Sequence, residues 1–166
     1  MKHSADTDYL TGILNRRAFT VAGNQRVRRA REDNLSLAVI LFDIDHFKSV
    51  NDLHGHDAGD LALVRIAARV KEELRDGEVL ARYGGEEFIV MPAYCDLPAA
   101  RAVAERIRGA IAAEPLPLAD GHLLRVTASF GVAAADGTHA ALDDLLREAD
   151  LALYRAKHNG RDRVEG

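Results

Sequence analysis

Cysteine occurs once in the 166 residues, at Cys95, and tryptophan not at all. A single cysteine excludes any disulfide within the chain and points to a reducing compartment, so the expected location is the cytoplasm. Cys95 itself reads as a half-buried small residue rather than a catalytic thiol. Positive charge is not in surplus either: 22 Lys and Arg stand against 26 Asp and Glu, a formal net charge of −4. Nothing in that balance points to nucleic acid. There is no apolar run of membrane-spanning length and no secretory signal pattern. Internal repeats, low-complexity tracts and long linkers are missing too, so residues 1–166 are expected to form a single domain with one sizeable core.

What is present is an ordinary globular composition, 48% hydrophobic and 29% charged. Residues 16–32 predict a polar, arginine-rich helix. LSLAVILFDID (35–45) is a continuous apolar run ending in acids, the pattern of a central strand buried on both faces. FKSVNDLHG (47–55) predicts a short helix closed by Gly55. A second helix follows over 59–75, with Leu63, Ile66, Ala67, Val70 and Leu74 on one face. VLARY (79–83) and EFIVM (87–91) predict a hairpin around the glycines. Leu97, Ala100, Val103, Ala104, Ile107 and Ile111 form the stripe of another helix, which stops before Pro115. Residues 123–135 read as one strand with a bulge at Gly131. A last helix covers 142–158 and ends at Asn159-Gly160. The order α-β-α-α-β-β-α-β-α mixes hairpin and crossover connections. It predicts an α+β fold with helices packed on both faces of a central, largely antiparallel sheet.

Four stretches carry chemistry. In FDID (42–45), Asp43 ends an apolar strand, where a carboxylate needs a cation, a donor or solvent. Capping of the next helix by Asp43 or Asp45 is the plainer reading. A P-loop role for the acid is excluded, because the chain has no GxxxxGK[ST] segment. In RYGGEEFIVM (82–91), Gly84 and Gly85 allow backbone conformations closed to other residues and let a ligand approach closely. Glu86 and Glu87 then alternate in direction. The plainer reading is a solvated turn. If the two strands are neighbours, Asp43 and Glu86 converge as hard oxygen ligands suited to Mg²⁺.

KHNGR (157–161) sets Lys157 and Arg161 across a helix end. They read either as favourable charges at a helix C-terminus or as partners for a polyphosphate. NDLHGHDAGD (51–60) brings Asn51 and Asp60 to the two sides of a helix junction. Capping accounts for Asp60, but an amide and a carboxylate together match the N–H donors of a guanine edge, which adenine lacks. His54 and His56 resemble a metal pair but lack further ligands.

YLTGILNRRAF, FDIDHFKSVNDLHGHDAGD, ARYGGEEF, ASFGVA and ADLALYRAKHNGRDRV resemble, in order and spacing, the motifs of GGDEF-domain diguanylate cyclases, from about Asp8 to Val164. The signature stretch stands here as GGEEF. The resemblance implies a fold like nucleotidyl cyclase and polymerase palm domains. It also implies condensation of two GTP into cyclic di-GMP plus pyrophosphate by a transient homodimer. Mg²⁺ is the implied metal, with Mn²⁺ as the alternative, on Asp43, Glu86 and the Ile44 carbonyl. Asn51 and Asp60 would read guanine, with Phe47, Gly84 and Gly85 completing the substrate contacts. Lys157, Arg161, Lys48 and the backbone N–H groups around Asp45–Lys48 would hold phosphates. Glu87 would serve a second metal or help deprotonate the 3′-hydroxyl.

The chain departs from the family at RDGE (75–78). The inhibitory product site of many members is Arg-x-x-Asp, and Glu78 stands where Asp is usual. Arg75 and Arg106 are in place, so a weakened site is expected, or simply a solvated helix end. Family members usually carry a sensory region before the first motif, so this chain is expected to be a domain of a longer protein. The competing reading is a non-catalytic module that binds GTP or cyclic di-GMP and regulates a partner.

Overall fold

A single strand, buried along all eight residues from Leu37 to Ile44 (β1), organises the chain. In the computed structural model, which describes residues 5–166, helix α1 (Arg16–Asp33) precedes it. After it come α2 (Phe47–His54), α3 (His56–Glu73), the hairpin β2 (Val79–Arg82) and β3 (Glu87–Met91), and α4 (Leu97–Ala113). The remainder is β4 (Leu116–Pro117), β5 (Leu123–Leu124), β6 (Ala128–Ala135), α5 (Leu142–His158) and β7 (Val164–Glu165). The main sheet runs β2-β3-β1-β6-β7. Its first three pairings are antiparallel and only β6 with β7 is parallel. The expected largely antiparallel sheet with helices on both faces is what the chain forms.

Side chains alternate along β1, so each face collects its own core. Ala38, Ile40, Phe42 and Ile44 meet α3 and α4, whereas Leu37, Val39 and Leu41 meet α1 and α5. Phe42 lies stacked between Phe88 and Phe130, with ring centroids 5.1 and 4.8 Å away. Such ring pairs add about 0.5–1.5 kcal/mol each beyond the area they bury. Asp43 falls on the α5 side of this alternation, and the cores on both faces hold it in place.

Three sequence expectations change. The second helix starts at His56 rather than residue 59, because Gly55, at φ 90, is the only break between α2 and α3. The strand expected over 123–135 divides: β5 pairs with β4 in a separate two-stranded sheet, and β6 begins at Ala128. Gly131 makes no bulge, since β1 and β6 pair residue for residue from Leu37↔Ala135 to Ile44↔Ala128. A Cβ at Gly131 would instead overlap the backbone of Ala149 and Leu153. The glycine lets α5 lie directly on the sheet.

Candidate functional site

The register of the sheet puts the acidic residues together. Asp43 lies opposite Glu87 on β3 and opposite Ser129 on β6. Glu86 precedes β3 in the bend that closes the hairpin. The Asp43 side chain is 6% exposed. Its Oδ2 accepts from the Lys157 ammonium, while its buried Oδ1 has no partner. Burial pushes the Asp43 carboxyl up to about 6; Lys157 opposes this, and the neighbouring charges of Glu87 and Glu86 add to it.

An open pocket of about 260 Å³ surrounds this carboxylate, lined by Asp43, Ile44, Asp45, His46, Phe47, Lys48, Ser49, Glu86, Lys157 and Arg161. Seven expected site residues therefore share one cavity: Asp43, Ile44, Phe47, Lys48, Glu86, Lys157 and Arg161. The first turn of α2 forms part of the wall. His46 precedes it in the left-handed region at φ 57 and gives no side-chain cap. The first N–H groups of that helix are thus the free donors that an anion attracts. A larger cleft of about 590 Å³ lies between α1 and the start of α5 and shares no residue with this pocket.

The other expected residues fall elsewhere. Asn51 and Asp60 do not line the pocket; they lie on the adjoining helices α2 and α3. Asp60 is inside α3, so it is not a cap. Asn51 packs on Gly59 so closely that a Cβ there would overlap its Oδ1, and the ring of Phe47 lies beside them. Gly59 therefore sets where the Asn51 amide points. Glu87 stands over Gly84, its Oε2 3.3 Å from where a Cβ would be. Neither Gly84 nor Gly85 takes a positive φ, contrary to the conformational role expected for them. What they supply is exposed backbone without a side chain, and nothing lies within 4 Å of a Cβ at Gly85.

Two residues that brace this turn were not singled out from the sequence. Arg82 donates to the carbonyls of Gly84 and Gly85, at 3.2 Å from Nε and 2.8 Å from Nη2 to Gly85. Its Nη1 meets both oxygens of Asp8 at 3.2 Å. Asp8 in turn accepts from the Thr11 N–H and hydroxyl. Burial pushes the Asp8 carboxyl up, but the Thr11 and Arg82 bonds outweigh it and hold it below the usual range. The glycine turn is thus tied to the N-terminal segment. An arginine ahead of a turn gives no sequence signal when its partner is 74 residues away.

Asp45 does not cap α2. It is 6% exposed and accepts from Thr127 Oγ1 and Ser129 Oγ, both at 2.6 Å, and from the Asp162 N–H at 3.0 Å. The two acids of FDID therefore differ: Asp45 is satisfied and Asp43 is not.

At the far end of the hairpin, Glu78 Oε1 accepts from the Arg75 N–H at 2.7 Å and from Arg106 Nη2 at 2.6 Å. The structure thus joins Glu78 to Arg106, while Arg75 contributes its backbone rather than its guanidinium. Cys95 lies nearby. Burial, then the charges of Asp96 and Glu78, push its thiol up, which fits an unreactive residue.

The Asp43 pocket suits Mg²⁺. Among the described residues no three His, Cys, Asp or Glu side chains gather as a closed metal cage. A buried carboxylate oxygen without a partner, a second carboxylate and a backbone carbonyl form the partial oxygen set that Mg²⁺ uses when phosphates and water complete its shell.

Residues 5–163 match the family model described as diguanylate cyclase, GGDEF domain. The chain belongs to the GGDEF family. Diguanylate cyclase DgcP of Pseudomonas aeruginosa is 44% identical over 99% of this chain and 24% of its own length. The GGDEF domain of DgcB from Caulobacter crescentus, solved in complex with c-di-GMP, superposes with a TM-score of 0.93 at 30% identity, covering 99% of this chain and 97% of that one. The active GGEEF domain of a diguanylate cyclase from Vibrio cholerae is 34% identical with a TM-score of 0.78, over 91% of this chain and 95% of that one. This GGDEF domain spans between about a quarter and a half of the length of the first curated relatives it matches, from 24% to 46%. The palm-like cyclase fold expected from the motifs is the fold observed.

Proposed function

We propose that this domain is a diguanylate cyclase that condenses two GTP molecules into cyclic di-GMP and releases two pyrophosphates. The observation that carries the reading is the unpartnered buried oxygen of Asp43, at the head of a pocket that also holds Glu86, Lys48, Lys157 and Arg161. An acidic patch framed by three cations matches a metal-bound triphosphate, whose charge of about −4 needs both metal and basic side chains to balance it.

In each half-reaction the 3′-oxygen of one GTP attacks the α-phosphorus of the other. The bond to the β-phosphate oxygen breaks, pyrophosphate leaves, and the 3′-proton goes to a base, for which Glu87 is the candidate. Mg²⁺, with Mn²⁺ as the alternative, would be held by Asp43, Glu86 and the Ile44 carbonyl and would stabilise charge on the reacting phosphate. Lys157, which donates to Asp43 in the unliganded domain, would be available to the phosphates if Asp43 held a metal. Lys48, Arg161 and the first N–H groups of α2 hold the phosphate tail, which fixes the α-phosphorus for in-line attack. Asn51 and Asp60 receive the guanine edge, and Gly84 and Gly85 admit the phosphates against the backbone.

One domain holds one GTP, so two domains must meet face to face. The rate is expected to rise more steeply than protein concentration. GTP is an intracellular nucleotide, which puts the reaction in the cytoplasm; among the described residues no helix is long and apolar enough to cross a membrane. Incubation with GTP and Mg²⁺, followed by chromatography of the nucleotides, tests the reading. Cyclic di-GMP is the expected product. Bound GTP with no cyclic product at high protein concentration would make the domain a binding module.

A further inference from the structure

The geometry points to Asp45 as a positioning residue that sets the direction of Arg161, through a buried clasp built from Thr127 and Ser129. The inference rests on the phosphate role proposed above for Arg161.

Arg161 stands in an unusual turn. Gly160, Arg161 and Asp162 follow one another at φ 121, 63 and 46. Two successive non-glycine residues in the left-handed region persist only where their surroundings over-determine them. Here three backbone polar groups around Arg161 have partners. Its N–H donates to the Ala156 carbonyl at 2.9 Å, which closes α5. Its carbonyl accepts from Arg163 Nε at 3.2 Å. The next N–H, that of Asp162, donates to Asp45 Oδ2 at 3.0 Å. Both peptide planes flanking the Arg161 Cα are therefore pinned, so the side chain of Arg161, a residue that lines the acidic pocket, leaves the backbone in one direction.

Asp45 is itself held rigidly. Both of its oxygens are engaged by hydroxyls of β6 and the residue before it, and its own N–H donates to the Thr127 carbonyl at 2.9 Å. Ser129 is fully buried. Asp45 thus has a hydrogen-bond partner on each oxygen, unlike Asp43 two residues earlier. The stretch T-A-S (127–129), which leads into β6, thereby gains a purpose: it orients a carboxylate that orients an arginine. Asp162 is held a second time, its carboxylate by Arg108 Nη1 at 2.7 Å, so the anchor spans β1, β6, α4 and the end of α5.

The test uses 3′-deoxy-GTP, which carries the triphosphate but cannot cyclise, and GMP, which lacks the terminal phosphates. Asp45→Ala is expected to weaken 3′-deoxy-GTP binding with Mg²⁺ at least about tenfold, the scale of one lost charge-assisted contact. GMP affinity, read by NMR titration, is expected to stay nearly unchanged, a split that a general loss of stability would not produce. Because Asp45 also lies near the metal carboxylates, a double-mutant cycle decides the route. Asp45→Ala combined with Arg161→Ala should bind no more weakly than Arg161→Ala alone. If the two losses add, or if GMP weakens as much as 3′-deoxy-GTP, the positioning role is overturned. If Arg161→Ala alone binds 3′-deoxy-GTP as well as the unaltered chain does, the phosphate reading fails first and takes this one with it. Should Asp45→Ala melt below the assay temperature, Ser129→Ala and Thr127→Val give the same readouts. They should show a smaller loss in the same direction, and no loss in either would overturn the clasp.

Discussion

Asp43 and Glu78 lie at opposite ends of the β2–β3 hairpin, and each side chain is only 6% exposed. Their surroundings differ all the same. Glu78 meets a backbone N–H and an arginine through one oxygen, so its charge is answered within the fold. Asp43 has one lysine on one oxygen and nothing on the other. An unanswered buried polar atom costs about 1–3 kcal/mol, and more when charged. The chain bears that cost beside Glu86 and Glu87, where it deepens. Burial alone therefore does not mark a functional carboxylate. The mark is burial without satisfaction, next to more charge of the same sign, where a cation would relieve both.

The sharpest way to break this contrast is through chemistry. Asp43→Asn and Glu86→Gln are each expected to lower cyclic di-GMP formation at least about a hundredfold, with the melting transition retained. Substantial turnover in either variant, measured by nucleotide chromatography, would remove that carboxylate from the metal role.

Stability should move in opposite directions at the two ends. Burial pushes the Asp43 carboxyl up to about 6 in the fold from an ordinary 3.8, so the folded chain holds this proton more tightly than the unfolded chain does. The resulting stabilisation is complete below the unfolded value and is lost as pH rises through about 6. In metal-free buffer at pH 7.5, Asp43→Asn is expected to gain about 1–3 kcal/mol over the parent, a gain that fades in acid below the unfolded value. Glu78→Ala is expected to lose about 1–3 kcal/mol, because it leaves Arg106 without its partner. Denaturant titrations across pH check both. An Asn variant less stable than the parent at pH 7.5 would mean that Lys157 fully answers the Asp43 charge.

Base choice is a smaller effect. Asp60→Ala is expected to reduce the preference for GTP over ATP by about 1–3 kcal/mol. Equal affinity for the two nucleotides in the unaltered chain would sink the guanine reading. The smallest effect belongs to Arg75. Its guanidinium takes no part in holding Glu78, and Glu78 replaces the usual Asp. Product inhibition is therefore expected to be competitive with GTP and to survive Arg75→Ala. Noncompetitive inhibition that disappears in that variant would show a separate, working product site.

The local grammar of the sequence located most of the elements. Apolar runs and helical stripes marked β1, the β2–β3 hairpin and all five helices to within a few residues. They missed β4 and β7, two-residue strands whose pairing partners are the only reason they are strands. The motifs also named seven of the ten residues that line the acidic pocket. They said nothing of Arg82 and Asp8, and they offered Asp45 as a cap, because a hydrogen bond across 74 or 117 positions leaves no local pattern.

By itself, then, the order of residue types determined the fold class, the family and the position of the charges along the chain, since hydrophobic period, turn chemistry and motif spacing are all local properties. The tertiary structure decided which charges are answered. Asp43, Asp45 and Glu78 are all acids beside apolar strands, and no local property shows which of them has donors to answer its charge. Only the sheet register and the packing of α4 and α5 bring two hydroxyls and an amide to Asp45, an arginine to Glu78, and a single lysine to Asp43. The free energy of a buried charge depends on the donors around it in space, and those donors come from distant parts of the chain.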